Sequence, residues 1–213
     1  MTKSSFGRRG KVNGQPRIIG GDIVPPGSVY HLFTVQVLPI QCGGSLISPN
    51  YVLSAAHRNM RPSKLTTSVA LRDPLDKNKD RILKVISILD HPNFKFLNRF
   101  VRSFDFTILK LEKPFNLFGF FPCLPNKNDQ YVGDIVTTYG WGYTEVSLSK
   151  NRPLSDVLKF TTLTVISDTE CAKILAEDGQ PLAKGINIKA HMGVCADGRK
   201  NNTGICFGDS GGN

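Results

Sequence analysis

Between Val29 and Ile166 the apolar residues come in short runs rich in β-branched and aromatic side chains. This pattern limits the fold more than any other feature of the chain. The runs are Val29–Val37, Ser45–Ser54, Leu65–Leu71, Ile82–Leu89, Asp105–Leu111, Ile135–Tyr139 and Val157–Ile166. Clusters of Pro, Gly, Asn and Asp separate many of them, at Asp22–Ser28, Arg72–Asp80 and Pro125–Asp129. Many short strands divided by turn residues predict an antiparallel sandwich or barrel. No run alternates with a long helix, so a doubly wound parallel sheet is not expected. One helix is predicted, over about 168–177. There Ser167 and Glu170 form a capping box, in which the Ser hydroxyl satisfies an orphan backbone N–H, and an apolar stretch follows.

Of the 213 residues, 40% are hydrophobic and 21% charged, a globular rather than a disordered balance. No apolar run approaches the roughly 18 residues of a membrane span, so no membrane association is expected. The net charge is 27 − 17 = +10. Lys3, Arg8, Arg9, Lys11 and Arg17 put half of that excess in a leader, residues 1–17, that holds no acid. The leader reads as a solvated tail. The rest of the chain has no basic stripe interleaved with aromatics, so no nucleic-acid partner is expected. Met1–Gln15 lacks the apolar core of roughly 7–15 residues that a secretory signal requires. The five cysteines form no C-x-x-C, and His31, His57, His91 and His191 are scattered, so neither a metal site nor a cofactor is predicted. Asp73, Asp76 and Asp80 hint at a calcium loop, but Arg72, Lys77, Lys79 and Arg81 crowd it, and a solvated loop is the better reading.

Chemistry concentrates in three separated places. The chain ends Gly208-Asp209-Ser210-Gly211-Gly212-Asn213. A Ser among small residues can sit on a sharp turn, with glycines leaving backbone N–H groups open to a substrate oxygen. Ser is a weak nucleophile at neutral pH and needs a His base, which in turn needs a carboxylate to orient it. His57 closes the stretch Leu53-Ser54-Ala55-Ala56-His57, and Asp105 heads the apolar stretch through Leu111. Each element alone is weak, since such a His or Asp is commonly structural. Gly208-x-Ser210-x-Gly212 also fits the nucleophile elbow of α/β-hydrolases, but there the acid and His follow the Ser. The order here is His, Asp, Ser.

With that order, the chain resembles the trypsin/chymotrypsin family of serine proteases from Arg17 to its last residue. The resemblance rests on Arg17-Ile18-Ile19-Gly20-Gly21, Cys42-Gly43-Gly44-Ser45-Leu46-Ile47, Ser54-Ala55-Ala56-His57, Asp105 with its strand, Cys123-Leu124-Pro125, Gly140-Trp141-Gly142 and Gly208-Asp209-Ser210-Gly211-Gly212. It implies an all-β fold of two antiparallel six-stranded barrels. Residues 18–128 would form the first, carrying His57 and Asp105, and 129–213 the second, carrying Ser210. It implies Ser210 as nucleophile, His57 as base and Asp105 as its orienting carboxylate, with the N–H groups of Gly208 and Ser210 as oxyanion hole. Residues 1–17 would be a propeptide. Cleavage after Arg17 by a trypsin-like activator would free Ile18 to pair with Asp209. Gly204, six residues before the nucleophile, stands where trypsin-like members hold Asp, so an uncharged residue before the scissile bond is expected, large or small. Ile205 would narrow the pocket floor. Cys171 and Cys195 match a family disulfide. A secreted, monomeric protease acting on proteins or peptides follows, in keeping with the glycosylation acceptor Asn201-Asn202-Thr203.

The chain also departs from the family. Arg58 replaces the Cys that would bond Cys42, and Cys123 and Cys206 find no family partner in the sequence. Asn213 stands where the family has Pro, and the family continues for a few tens of residues, so the second barrel is expected to be incomplete. The alternatives are a non-catalytic protease-like binding protein and an inactive truncated fragment. The intact set of His57, Asp105 and Ser210 argues against the first.

Overall fold

The computed structural model describes residues 2–3, 21–28, 33–39, 42–58, 67–72, 75, 80–96, 102–116, 121–125, 131–143, 154–177, 193–201, 203–205 and 209–212. Their strands are β1 (Thr2–Lys3), β2 (Asp22–Ile23), β3 (Thr34–Leu38), β4 (Cys42–Ser48), β5 (Tyr51–Ser54), β6 (Ser68–Leu71), β7 (Arg81–Asp90), β8 (Lys95–Phe96), β9 (Arg102–Ser103), β10 (Thr107–Leu111), β11 (Ile135–Gly140), β12 (Lys159–Ile166) and β13 (Gly193–Asp197). Six of them close a barrel in the order β10-β5-β4-β3-β6-β7, every pairing antiparallel.

The barrel forms because alternate residues of each strand face one interior. In β10, Thr107, Leu109 and Leu111 are buried while Lys110 is exposed. Val35, Leu46, Val52, Val69 and Leu109 meet at its centre with no solvent exposure. Each such side chain contributes about 1.5–3 kcal/mol of hydrophobic stabilisation. The stretch Ser45–Ser54, read from the sequence as one run, is two strands. Pro49-Asn50 turns the chain and pairs Ser48 with Tyr51. Proline cannot donate to a sheet ladder, so it breaks the run there. The Val29–Leu32 part of the first run lies outside the described residues.

The second-half strands β11, β12 and β13 form an open sheet with the N-terminal β1, in the order β1-β13-β12-β11, and β2 pairs with the start of β12. β12 alternates buried and half-buried residues along its whole length. The reading of the leader as a solvated tail does not hold at its start. Thr2–Lys3 is a strand, parallel to Gly193–Val194 at the edge of β13. An edge strand leaves its N–H and C=O groups open to any extended segment that reaches it.

The helix α1 (Asp168–Glu177) starts where the capping box places it, with the Glu170 N–H donating to Ser167 Oγ at 3.2 Å. Its buried residues Cys171, Ile174 and Leu175 share one face. The disulfide Cys171–Cys195 fastens that face to β13. Closing a loop of this length removes about 3 kcal/mol of denatured-state entropy. Replacing Ser167 by Ala is expected to cost about 1 kcal/mol. A calorimetric melt would show this as a Tm lower by about 2–4 °C.

The turn cluster Arg72–Asp80, read as a solvated loop, is tied together at its two ends. The Arg72 guanidinium bonds the Asp80 carboxylate and the Gln36 side chain, its Nε lying 3.0 Å from Gln36 Oε1. Asp80 therefore answers a fixed internal cation. Asp73 and Asp76 lie outside the described residues. Among the described residues no helix is long and apolar enough to cross a membrane.

Candidate active site

His57 sits on a single 3₁₀ turn, Ala56–Arg58, directly after β5. Two contacts fix the exit of that strand. Ser54 Oγ donates to the Gly43 carbonyl at 2.8 Å, and Ala55 and Ala56 are buried, small enough for close packing against the barrel. Asp105 comes from the other side, just before β10. It holds His57 twice. Its Oδ1 accepts the His57 backbone N–H at 2.8 Å, and its Oδ2 faces His57 Nδ1 at 2.7 Å. A carboxylate can only accept, so Nδ1 is the donor of this pair, and in the neutral ring Nε2 keeps a lone pair. The two side chains are 12% and 11% exposed, so little water competes for the contact.

The backbone before Asp105 is bent to aim it. Phe104 has φ 52°, the left-handed region that costs a non-glycine residue roughly 1–2 kcal/mol. The His91 ring stacks on Phe104 with centroids 4.6 Å apart and also touches Phe106. Phe106 N–H donates to the Phe104 carbonyl at 2.8 Å, closing a tight turn around Asp105. His91 is therefore part of the scaffold of the site.

Ser210 lies on a turn closed by Gly212 N–H donating to the Asp209 carbonyl at 3.0 Å. Gly211 within it has φ 80°. The Ser210 carbonyl accepts the Gly43 N–H at 2.9 Å. Gly43 thus joins the Ser210 turn to the same strand pair whose end carries His57. This approach is possible only because Gly43 lacks a side chain. A Cβ there would lie 2.6 Å from Gly212 Cα.

Asp209 is 5% exposed. Its Oδ1 accepts the Gly142 N–H at 2.7 Å. The carboxylate rests on glycine backbone, and a Cβ at Gly140 would stand 2.1 Å from Oδ1. Gly140-Trp141-Gly142 is therefore a cradle for Asp209, a role that the sequence reading left unassigned. The alternation of glycines around one Trp was the only signal for it. The motifs that contain Gly43 and Gly211 likewise carry no sign of the contacts these glycines make possible.

Gly204 is buried and Ile205 half-buried. Thr203 anchors this segment, its hydroxyl donating to the Thr162 carbonyl at 3.1 Å and its N–H to the Gly198 carbonyl at 3.0 Å. Cys42 is a buried thiol in the barrel core and Cys123 an exposed one. Gly208, Arg17, Ile18, Cys206, His31 and His191 lie outside the described residues. Among the described residues no group of three or more His, Cys, Asp or Glu is arranged to hold a metal ion.

The site thus gathers an imidazole held by Asp105 and a Ser on a glycine-rich turn pinned to the same strand pair. The trypsin family model matches residues 18–213. Ovochymase-2 of mouse (Mus musculus) is 30% identical over 205 residues, a span covering 92% of this chain and 32% of ovochymase-2. The chain thus spans about a third of the length of that relative. Among solved structures, neuropsin, a serine protease expressed in the limbic system of mouse brain, superposes with a TM-score of 0.68 at 27% identity. The match covers 90% of this chain and 79% of neuropsin.

Proposed function

Because the chain belongs to the trypsin family, matched over residues 18–213, we propose that it is a serine endopeptidase made as a precursor. Ser210 Oγ attacks the scissile carbonyl. His57 Nε2 takes its proton and later gives it to the leaving amine. Asp105 keeps the imidazole in the required tautomer and stabilises the cation. The N–H groups of Gly208 and Ser210 hold the oxyanion, where one donor is worth about 2.7–4 kcal/mol in transition-state stabilisation. The observation that carries this reading is the double hold of Asp105 on His57, through ring and backbone.

Activation in this reading is cleavage after Arg17 by a trypsin-like protease. The new Ile18 amino group then pairs with Asp209. The cradle of Gly140 and Gly142 supports that role, since it presents a buried carboxylate one residue before the nucleophile. Residues 18–128 and 129–213 act as the two lobes, with 1–17 as propeptide. Gly204 brings no charge to the pocket, so the residue before the scissile bond is uncharged. The substrates are proteins or peptides met outside the cell by a monomeric enzyme.

A fluorophosphonate reacts covalently with an activated serine, so the reading is open to a direct test. The chain cleaved after Arg17 is expected to take up one label, on Ser210, as read by peptide mass spectrometry. The Ser210→Ala and His57→Ala chains are expected to take up none. A verified cleavage at Arg17 with no label on Ser210 overturns the proposal, leaving a protease-like binding protein.

A further inference from the structure

Lys159 is a basic residue with only 7% of its surface exposed, and the catalytic reading gives it no role. A buried ammonium persists only where an opposite charge or a full set of acceptors compensates it. Its position shows which buried charge among the described residues shares its face of the sheet. In the β11–β12 ladder Lys159 is directly opposite Gly140. Opposed residues of an antiparallel pair leave the sheet on the same face, with Cβ atoms about 5 Å apart. A Cβ at Gly140 would lie 2.1 Å from Asp209 Oδ1. The Lys159 side chain therefore departs on the face that carries the Asp209 carboxylate, and its four-carbon stem is long enough to cross the interval. The nearest acid on a paired strand, Asp22, is exposed and opposite Phe160, which places it on the other face. Asp209 is itself 5% exposed, so the two buried charges are of opposite sign on one face of one sheet.

We infer that Lys159 is a positioning residue whose ammonium is the counter-charge of Asp209, holding the Ser210 turn against β11 before any cleavage at Arg17. The inference deepens the protease reading and rests on it for its effect on reactivity. Cleavage would then replace one cation by another at the same carboxylate. The uncleaved chain would already be reactive at Ser210, and the Ile18 amino group would relieve the chain of its dependence on Lys159.

The test uses the full chain in two forms, cleaved after Arg17 and made uncleavable by Arg17→Ala. The first readout is thermal stability, which does not depend on catalysis. Lys159→Met in the uncleavable chain is expected to lower Tm by about 6 °C or more, as removing one partner of a buried pair does. Lys159→Arg should retain most of the stability. The double variant Lys159→Met/Asp209→Asn should lose no more than Lys159→Met alone. Additive losses overturn the inference. Should Lys159→Met fail to fold, the double variant decides: recovery of a cooperative melt supports the pair, and failure of both overturns it. The second readout is the rate of fluorophosphonate labelling. Lys159→Met should slow it about tenfold or more in the uncleavable chain, and less than about threefold in the cleaved chain. Lys159→Arg should restore it, and equal slowing in both forms overturns the inference. If the wild-type chain labels in neither form, the protease reading falls, and the stability cycle alone decides whether Lys159 and Asp209 are coupled.

Discussion

Replacing Asp105 by Asn is expected to leave the fold in place and to lower turnover by the cleaved chain about 10⁴-fold, the loss known for this change in the serine-protease triad. The geometry explains why so conservative a change does so much. The His57 backbone N–H, 2.8 Å from Asp105 Oδ1, can only donate. It therefore selects the oxygen of an Asn amide for that position. The amide NH₂ is then left facing His57 Nδ1, where Oδ2 stood at 2.7 Å. Since NH₂ can only donate, Nδ1 must accept, and the imidazole proton moves to Nε2. A ring protonated at Nε2 cannot take the proton of Ser210. Flipping the amide would set two donors against each other at the backbone, which a site with both side chains nearly buried tolerates poorly. The measurement is kcat on a peptide amide with an uncharged residue before the scissile bond, beside a calorimetric melt. A loss under about tenfold with an unchanged melt would show that Asp105 does not set the tautomer, and the mechanism would fail.

The parts of this molecule that were legible in the sequence are those fixed by neighbours along the chain. The N-terminus of α1 needs only Ser167 and the N–H of Glu170, three residues on. The strand runs needed only short apolar stretches; the fusion of β4 with β5 came from passing over Pro49-Asn50, and β2, β8, β9 and β13 were not read as strands at all, β2 lying inside the turn cluster Asp22–Ser28. The order of His57, Asp105 and Ser210 gave the family and, through it, the disulfide Cys171–Cys195. What could not be read depends on backbone brought together from distant segments. Phe104 keeps φ 52° beside the ring of His91, which comes from another loop. Asp80 is bonded by Arg72 across the turn cluster, with Gln36 of β3 completing the contact. The parallel seat of Thr2–Lys3 on β13 has no local signal at all. The same holds for glycines whose role is the space they leave. A sequence shows that Gly43, Gly140, Gly142 and Gly211 lack side chains, but the reason lies in which backbone or carboxylate approaches each of them.

Gly211 tests that last point. Its φ of 80° alone makes Ala costly there, by about 1–2 kcal/mol. The added Cβ would also lie 2.5 Å from Ser54 Oγ, 2.6 Å from the Ala55 nitrogen and 2.7 Å from the Gly43 carbonyl oxygen. Two of those atoms are backbone at the end of β5 and within β4, so the barrel cannot yield without disturbing the step into His57. Overpacking of this kind adds about 1–3 kcal/mol. Gly211→Ala is therefore expected to lower Tm by about 4–20 °C. The Ser210 turn should be pushed off Gly43, and fluorophosphonate labelling of the cleaved chain should slow by about 10² or more. Gly133→Ala separates the two causes. Gly133 has φ 95°, and nothing lies within 4 Å of where its Cβ would be. That variant should incur the conformational cost alone, with labelling unchanged. If the two variants melt alike and label alike, the contact of the Ser210 turn with β4 and β5 does not position the nucleophile.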